Sequence, residues 1–341
     1  MAYIKLSKTN FFHNLDAIVK QAGKKDRVAI VLKDNAYGHG LLEIAQLSRE
    51  YGIKRAIVQS EVEAQQIADF FEYILVLADF PQQKTSNIHY TINSLETIKK
   101  FPKNTKVELK VDTGMHRNGI AMGELEVALN AIKEQNLELC GVFTHHRSAD
   151  ELTSEWFWQN QNFKKIKEQV KSFGFENILF HSANSASLFR YEKFDEDMVR
   201  VGIAAYGLLD LPKPLQKVEL KPVLSLYAKK ISQRTLQKGE CIGYGATFCA
   251  KETMNVATYD IGYGDGFLRC LSNNYTTSKN EQLLGRISMD NSCFTTQKDE
   301  ILVFNDARGV AKKAGTIAYE IVTSLKPSLQ REIIEDIYNG K

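Results

Sequence analysis

Short apolar runs alternate with stretches of helical period through the first two-thirds of the chain. The runs fall at residues 28–32, 56–58, 73–77, 88–92, 107–111, 139–143, 178–180 and 198–203. Between them, apolar residues recur every three or four positions, most clearly over 41–51, 61–71, 124–135 and 156–171. A short run of largely β-branched residues suits a strand buried on both faces, and the intervening period suits an amphipathic helix. Eight strands alternating with helices predict a (β/α)8 barrel.

Beyond about residue 220 the pattern changes to glycine-punctuated alternation, at 223–228, 241–244, 254–261, 282–287, 292–295 and 301–304. That predicts a small all-β domain. Leu209-Asp210-Leu211-Pro212-Lys213-Pro214 is the expected linker. The expected class is therefore α/β: an N-terminal (β/α)8 TIM-like barrel over 9–215 plus a C-terminal all-β domain over 216–341, the latter joined by an N-terminal strand, 1–8. The segment 329–338 reads as an amphipathic helix.

Composition narrows the function classes. The 341 residues are 25% charged and 43% hydrophobic, an ordinary globular balance with ample core material. The net charge is +3 with no run of like charges, which offers nothing to nucleic acid or an anionic membrane. No apolar run approaches the ~20 residues of a membrane span, and Met1-Ala2-Tyr3-Ile4-Lys5-Leu6-Ser7 has no signal core. The five cysteines are odd in number and contain no CxxC pair, so they read as reduced thiols of a cytoplasmic protein.

Polar residues stand at or just beyond the ends of the apolar runs: Lys33, Gln59-Ser60, Asp79, Asn93, Lys110 to Asp112, His145, His181 to Asn184, and Arg200. In a barrel the C-terminal strand ends form one face, and that face carries the chemistry. These residues are expected to converge around Lys33. Partial burial would lower the pKa of its ammonium and free a nucleophilic amine, suited to condensing with an aldehyde cofactor. A lysine snorkelling off a strand end fits that stretch equally well. The glycine-rich segments 38–40 and 262–266 are neither a Walker nor a dinucleotide fingerprint. The histidines lack metal-ligand spacing, and the adjacent His145 and His146 would point to opposite sides of a strand, so no metal site is expected.

Lys33-Asp34-Asn35-Ala36-Tyr37-Gly38-His39-Gly40 closely resembles the cofactor-lysine signature of bacterial alanine racemases. Lys110-Val111-Asp112-Thr113-Gly114-Met115 with Arg117, Thr144-His145, His181-Ser182-Ala183-Asn184-Ser185, and Arg200-Val201-Gly202-Ile203 with Tyr206-Gly207 resemble further blocks of that family. Ile261-Gly262-Tyr263-Gly264-Asp265-Gly266, Gly285-Arg286-Ile287-Ser288-Met289-Asp290 and Thr316-Ile317-Ala318-Tyr319-Glu320 complete the set, in the family's order, across residues 33 to 320.

The resemblance implies racemisation of L- and D-alanine, supplying D-alanine for cell-wall peptidoglycan. It implies pyridoxal 5′-phosphate on Lys33 and a head-to-tail homodimer with shared active sites. Two bases are implied, Lys33 and Tyr263 of the partner subunit. Arg200 would face the pyridine nitrogen, His145 and Arg200 match residues networked near Tyr263, and His181 would steady Arg200; taken alone, Arg200 would read more simply as a surface ion pair. Phosphate contacts are implied for Tyr37, Ser185, Gly202, Ile203 and Tyr319. Arg117 and Met289 match the region receiving the substrate carboxylate, with Arg117 also near the cofactor's phenolic oxygen, and Tyr263 and Tyr319 the pair narrowing the entrance. Lys110 matches a lysine that many members carry as a carbamate. His146, Arg147, Asp34 and Gly264 depart from the residues usual at their positions, which bears on pocket electrostatics and substrate range. Two alternatives remain at this point: a racemase of broader range acting on serine or lysine, and a non-catalytic pyridoxal phosphate carrier built on the barrel alone.

Overall fold

A computed structural model describes residues 1–83, 85–215 and 218–336. Eight parallel strands form a nearly closed barrel in the order Val199–Val201, Val28–Val31, Arg55–Val58, Tyr73–Val76, Ile88–Ile92, Lys106–Asp112, Glu138–Phe143 and Leu179–His181. The seam between the last of these and the first is bridged by backbone bonds from Asp197 to Phe180 and from Arg200 to Ala183. Most strand positions are buried on both faces, which is why most of the runs read as apolar. Ala29, Val31, Ile57, Tyr73, Leu75, Phe143 and Met198 fill the barrel interior. Val28, Ile30 and Leu32 belong instead to the large cluster that includes the surrounding helices.

The helices lie close to where the periodicity puts them: Leu41–Tyr51, Glu61–Gln66 running on into a 3₁₀ turn at Ala68–Phe70, Leu125–Glu134 and Glu155–Ser172. Ser60 caps the second in a reciprocal capping box with Glu63.

A second sheet runs in the order Leu283–Leu284, Ser292–Phe294, Met254–Tyr259, Leu224–Leu236, Tyr3–Ser7 and Gln330–Ile334, with Glu300–Phe304 also paired to Leu224–Leu236. The helices Ala307–Ala314 and Ala318–Thr323 are part of the same C-terminal region. Residues 330–334 are a strand and not the helix expected over 329–338, whose last residues lie outside those described. The reason is long-range: Gln330 to Ile334 pair in parallel with Tyr3 to Ser7, whose own second edge is held by Leu224–Leu236.

The cysteine expectation also needs correction. Cys241 and Cys249 form a disulfide, while Cys140, Cys270 and Cys293 are free. The two bonded residues face each other directly across a short antiparallel hairpin. Among the described residues no helix is long and apolar enough to cross a membrane, and no cluster of three or more ligating side chains could hold a metal ion.

Candidate active site

Lys33 follows the first barrel strand, and the chain then turns the wrong way. Asp34, Asn35, Ala36 and Tyr37 all take left-handed backbone angles, with φ between 51° and 56°. For non-glycine residues this costs about 1–2 kcal/mol each and persists only where the surroundings impose it. Glu63 accepts from the Asp34 amide at 2.7 Å, and Asn35 Oδ1 accepts from the Leu41 amide at 2.8 Å. Arg331, from the C-terminal sheet, donates to the Gly38 carbonyl from Nε and Nη2 at 3.2 and 2.9 Å. A Cβ on Gly38 would stand 1.8 Å from the Val322 carbonyl oxygen, so glycine is required there. The turn carries Tyr37 inward, its ring 5.5 Å from that of Tyr206 and 5.7 Å from that of Tyr319.

Arg200 sits in the barrel strand paired with the one leading to Lys33, in register with Ala29. It is buried, and its terminal nitrogens are fully engaged. Nη1 donates to His181 Nδ1 at 2.7 Å and to the His181 carbonyl at 3.1 Å. Nη2 donates to the carbonyls of Thr144 and Ser182 at 2.7 and 3.0 Å and lies 3.3 Å from His145 Nδ1. Its Nε–H donates to no described residue, although a guanidinium offers five donors. Burial lowers the Arg200 pKa to about 10, opposed by Glu196 and Glu108, which leaves it charged at neutral pH.

Lys110 lies at the end of the strand Lys106–Asp112. Burial lowers its pKa to about 8, helped by Arg117, Arg200 and Lys33 and opposed by Asp112. Four cations are thus within electrostatic reach of one another. The same field, after burial, drives the pKa of His145 well below the histidine range, so its ring is neutral. Gln159 of the helix Glu155–Ser172 donates to the His145 carbonyl at 3.0 Å.

The seventh and eighth strands end in a polar pocket. Asn184 caps the short helix Ser185–Leu188 by accepting from the Ser187 amide. The Ser185 hydroxyl accepts from the amides of Gly202 and Ala204 at 3.1 and 3.3 Å. Ile203 is buried beside them. Backbone amides and a hydroxyl gathered at this position in a barrel suit an anionic group.

Other residues at the strand ends do different work. Asp79 accepts from the Glu61 amide and Asn93 donates to the Leu77 carbonyl, while Gln59 and Ser60 donate backbone amides to Glu63. These polar residues start helices and close loops; they do not converge on Lys33. Tyr263 and Met289 are together but elsewhere: the Tyr263 amide bonds to the Ser288 carbonyl and the Gly264 amide to the Met289 carbonyl. They are 42% and 55% exposed, and among the described residues no hydrogen bond or ring contact joins Tyr263 to the Lys33 group.

One constituent of this region has no counterpart in the sequence reading. Glu108, fully buried, lies inside the barrel behind His181. The signal was present: Glu108, Lys110 and Asp112 alternate with Val107, Leu109 and Val111, a polar inward face at period two.

A family model described as the alanine racemase N-terminal domain matches residues 6–210, and one described as the alanine racemase C-terminal domain matches 223–333. The alanine racemase of Nitratiruptor sp. is 46% identical over 339 residues, covering 98% of this chain and 100% of that protein. That of Campylobacter concisus is 44% identical over 340 residues, with 98% and 100% covered. Among solved structures, an alanine racemase from Bacillus anthracis with bound L-Ala-P superposes with a TM-score of 0.88 at 29% identity, covering 100% of this chain and 96% of that one. An alanine racemase from Bartonella henselae with covalently bound pyridoxal phosphate gives 0.83 at 26% identity, with 98% and 99% covered.

Proposed function

The chain belongs to the alanine racemase family, and from that membership we propose how its own residues perform the reaction. It is an isomerase that interconverts L- and D-alanine and depends on pyridoxal 5′-phosphate. The residues fit that cofactor. The gathered cations ask for an anionic ligand, the amides and hydroxyl around Ser185 and Gly202 suit a phosphate, and the Nε–H of Arg200 has no protein acceptor among the described residues, while both its Nη atoms do.

In this reading Lys33 anchors the cofactor through Nζ. Ser185, Gly202, Ile203, Tyr37 and Tyr319 would hold its phosphate, and Arg200, through Nε–H, would hold its ring nitrogen. The cofactor makes the substrate's α-proton acidic by drawing charge into its ring. A guanidinium that stays charged offers no proton to that nitrogen, which keeps the electron sink weak and favours return of the proton to the same carbon. Lys33 Nζ moves a proton at one face of the substrate carbon. The phenolic oxygen of Tyr263 from the partner subunit moves it at the other. Arg117 and Met289 orient the substrate carboxylate. His181 steadies Arg200.

The exposure of Tyr263 and Met289, with no hydrogen bond or ring contact from Tyr263 to the Lys33 group among the described residues, supports a head-to-tail dimer in which each barrel mouth meets the other subunit's second domain. The functional division follows as a barrel of 9–215 that binds the cofactor and a domain of 216–341, with strand 1–8, that supplies the second base. A carrier role built on the barrel alone does not suit a chain with the full second domain. The single observation that carries the reading is the cation-rich barrel mouth of Lys33, Lys110 and Arg200 beside the Ser185–Gly202 pocket. The test is wash-out of the α-proton of alanine in heavy water by the purified holoprotein. Exchange with loss of optical purity is expected; cofactor binding without exchange would refute it.

A further inference from the structure

The barrel interior holds a carboxylate that the reaction described above leaves without a task. Glu108 is 0% exposed. Its Oε2 accepts from His181 Nε2 at 2.7 Å, and the other nitrogen of the same ring accepts from Arg200 Nη1 at 2.7 Å. Tyr73 donates its hydroxyl to Oε1, and His89 Nδ1 approaches the same oxygen at 3.4 Å. The neighbouring strand makes room for the carboxylate. Gly141 is in register with Glu108, and a Cβ there would come within 2.8 Å of Glu108 Cδ. Arg55, stacked over the Tyr73 ring, is a further charge on this side.

We propose that Glu108 is a positioning residue for Arg200, acting through His181. A histidine wedged between a carboxylate and a guanidinium has one workable arrangement, with the proton on Nε2 and the lone pair on Nδ1. The reversed tautomer would set Nδ1–H against Arg200 Nη1–H and leave Glu108 Oε2 without its donor. Glu108 therefore fixes the tautomer, and the tautomer fixes the guanidinium plane that presents Nε–H toward the cofactor ring. The carboxylate also supplies countercharge to a buried cation one imidazole away, where an unbalanced charge would be costly. Burial alone would raise the Glu108 pKa, but the hydrogen bond from His181 and the nearness of His89 outweigh it and keep the group ionised. The inference rests on the assigned role of Arg200 only in its catalytic consequence; the tautomer is a property of the chain itself.

The test is Glu108→Gln, which keeps the shape and removes the charge. In cofactor-free protein labelled with 15N-histidine, the His181 resonances should report the Nε2–H tautomer in the wild type and a mixture in the variant. In the loaded enzyme, kcat should fall about 10- to 100-fold, by analogy with partners that orient metal-bound histidines. KM should change far less, and the visible spectrum of the cofactor should shift in the same sense as in Arg200→Lys. An unchanged tautomer together with unchanged kcat and spectrum would overturn the proposal. If Glu108→Gln does not fold, Tyr73→Phe keeps the carboxylate and strips one donor from it. The His181 Nε2 resonance should then move as the carboxylate binds that proton more tightly, and an unmoved resonance would count against the link. Arg200→Lys separates the two readings. If it leaves spectrum and turnover unaltered, the role of Arg200 falls; if it alters them and Glu108→Gln does not, only the relay falls.

Discussion

The Tyr37 ring occupies the space that a side chain on Gly202 would need: a Cβ there would stand 2.8 Å from Cε2 and 2.9 Å from the hydroxyl. Gly202→Ala should therefore displace the ring or the residue 202 amide. Overpacking of this kind costs about 1–3 kcal/mol, which would weaken cofactor binding roughly 5- to 150-fold. Cofactor content after dialysis, read by absorbance, checks this beside a thermal melt. Full retention by a folded variant would show that the amide of residue 202 does not hold the phosphate.

Lys110 is expected to carry a carbamate. Its pKa, lowered to about 8, exposes a neutral amine at a pH where an ordinary lysine is charged. Conversion to an anion would relieve the crowding with Arg117, Arg200 and Lys33. Occupancy should rise as pH increases through 8 and disappear on acidification. Carbon-13 bicarbonate should give a carbamate carbonyl resonance that Lys110→Gln abolishes, and an intact mass without the adduct in saturating bicarbonate would refute it.

A shared site predicts complementation. Lys33→Ala and Tyr263→Phe proteins should each be nearly inactive. Mixed and allowed to exchange subunits, they should form hybrids in which one of the two sites has both bases. Activity should recover toward about a quarter of the wild-type level, the share expected if half the dimers are hybrids and each has one intact site. Verified exchange with no recovery would mean that Tyr263 does not act across subunits.

His146 predicts acid sensitivity. Its Nδ1 meets the Ser187 hydroxyl at 2.7 Å, and burial, then Arg200, Arg190 and Lys167, lower its pKa to about 3. The unfolded chain takes up the proton near 6.5, so the unfolded state binds more protons and stability falls as pH drops below that value. At pH 5 this one group should cost about 2 kcal/mol relative to pH 7. His146→Leu should shrink the difference in unfolding free energy between pH 7 and pH 5, read from urea unfolding at each pH, by that amount. His39, buried and lowered to about 4, will leave a residual slope.

Much of this was legible because it is local. The alternation of apolar runs with helical period locates all eight barrel strands, since a strand buried on both faces is apolar at most of its positions. Lys33, Lys110, His145 and Arg200 were visible as polar residues ending those runs, and their motifs carried the family resemblance. Asp79, Asn93 and Gln59 showed the same signal yet only start a helix or close loops, because a polar residue at a strand end serves the backbone as readily as a substrate.

What the sequence by itself determined is the period of each segment and the residue placed at its end. The tertiary structure alone decided which distant segments share a sheet or a cavity. Residues 330–334 became a strand because Tyr3–Ser7 offers an edge; Cys241 met Cys249 because a hairpin register set them opposite. Glu108 became a partner of His181 only when neighbouring strands curved around one interior. Hydrophobic period is fixed within a few residues, whereas a buried charge is tolerable only once its partners arrive from far along the chain.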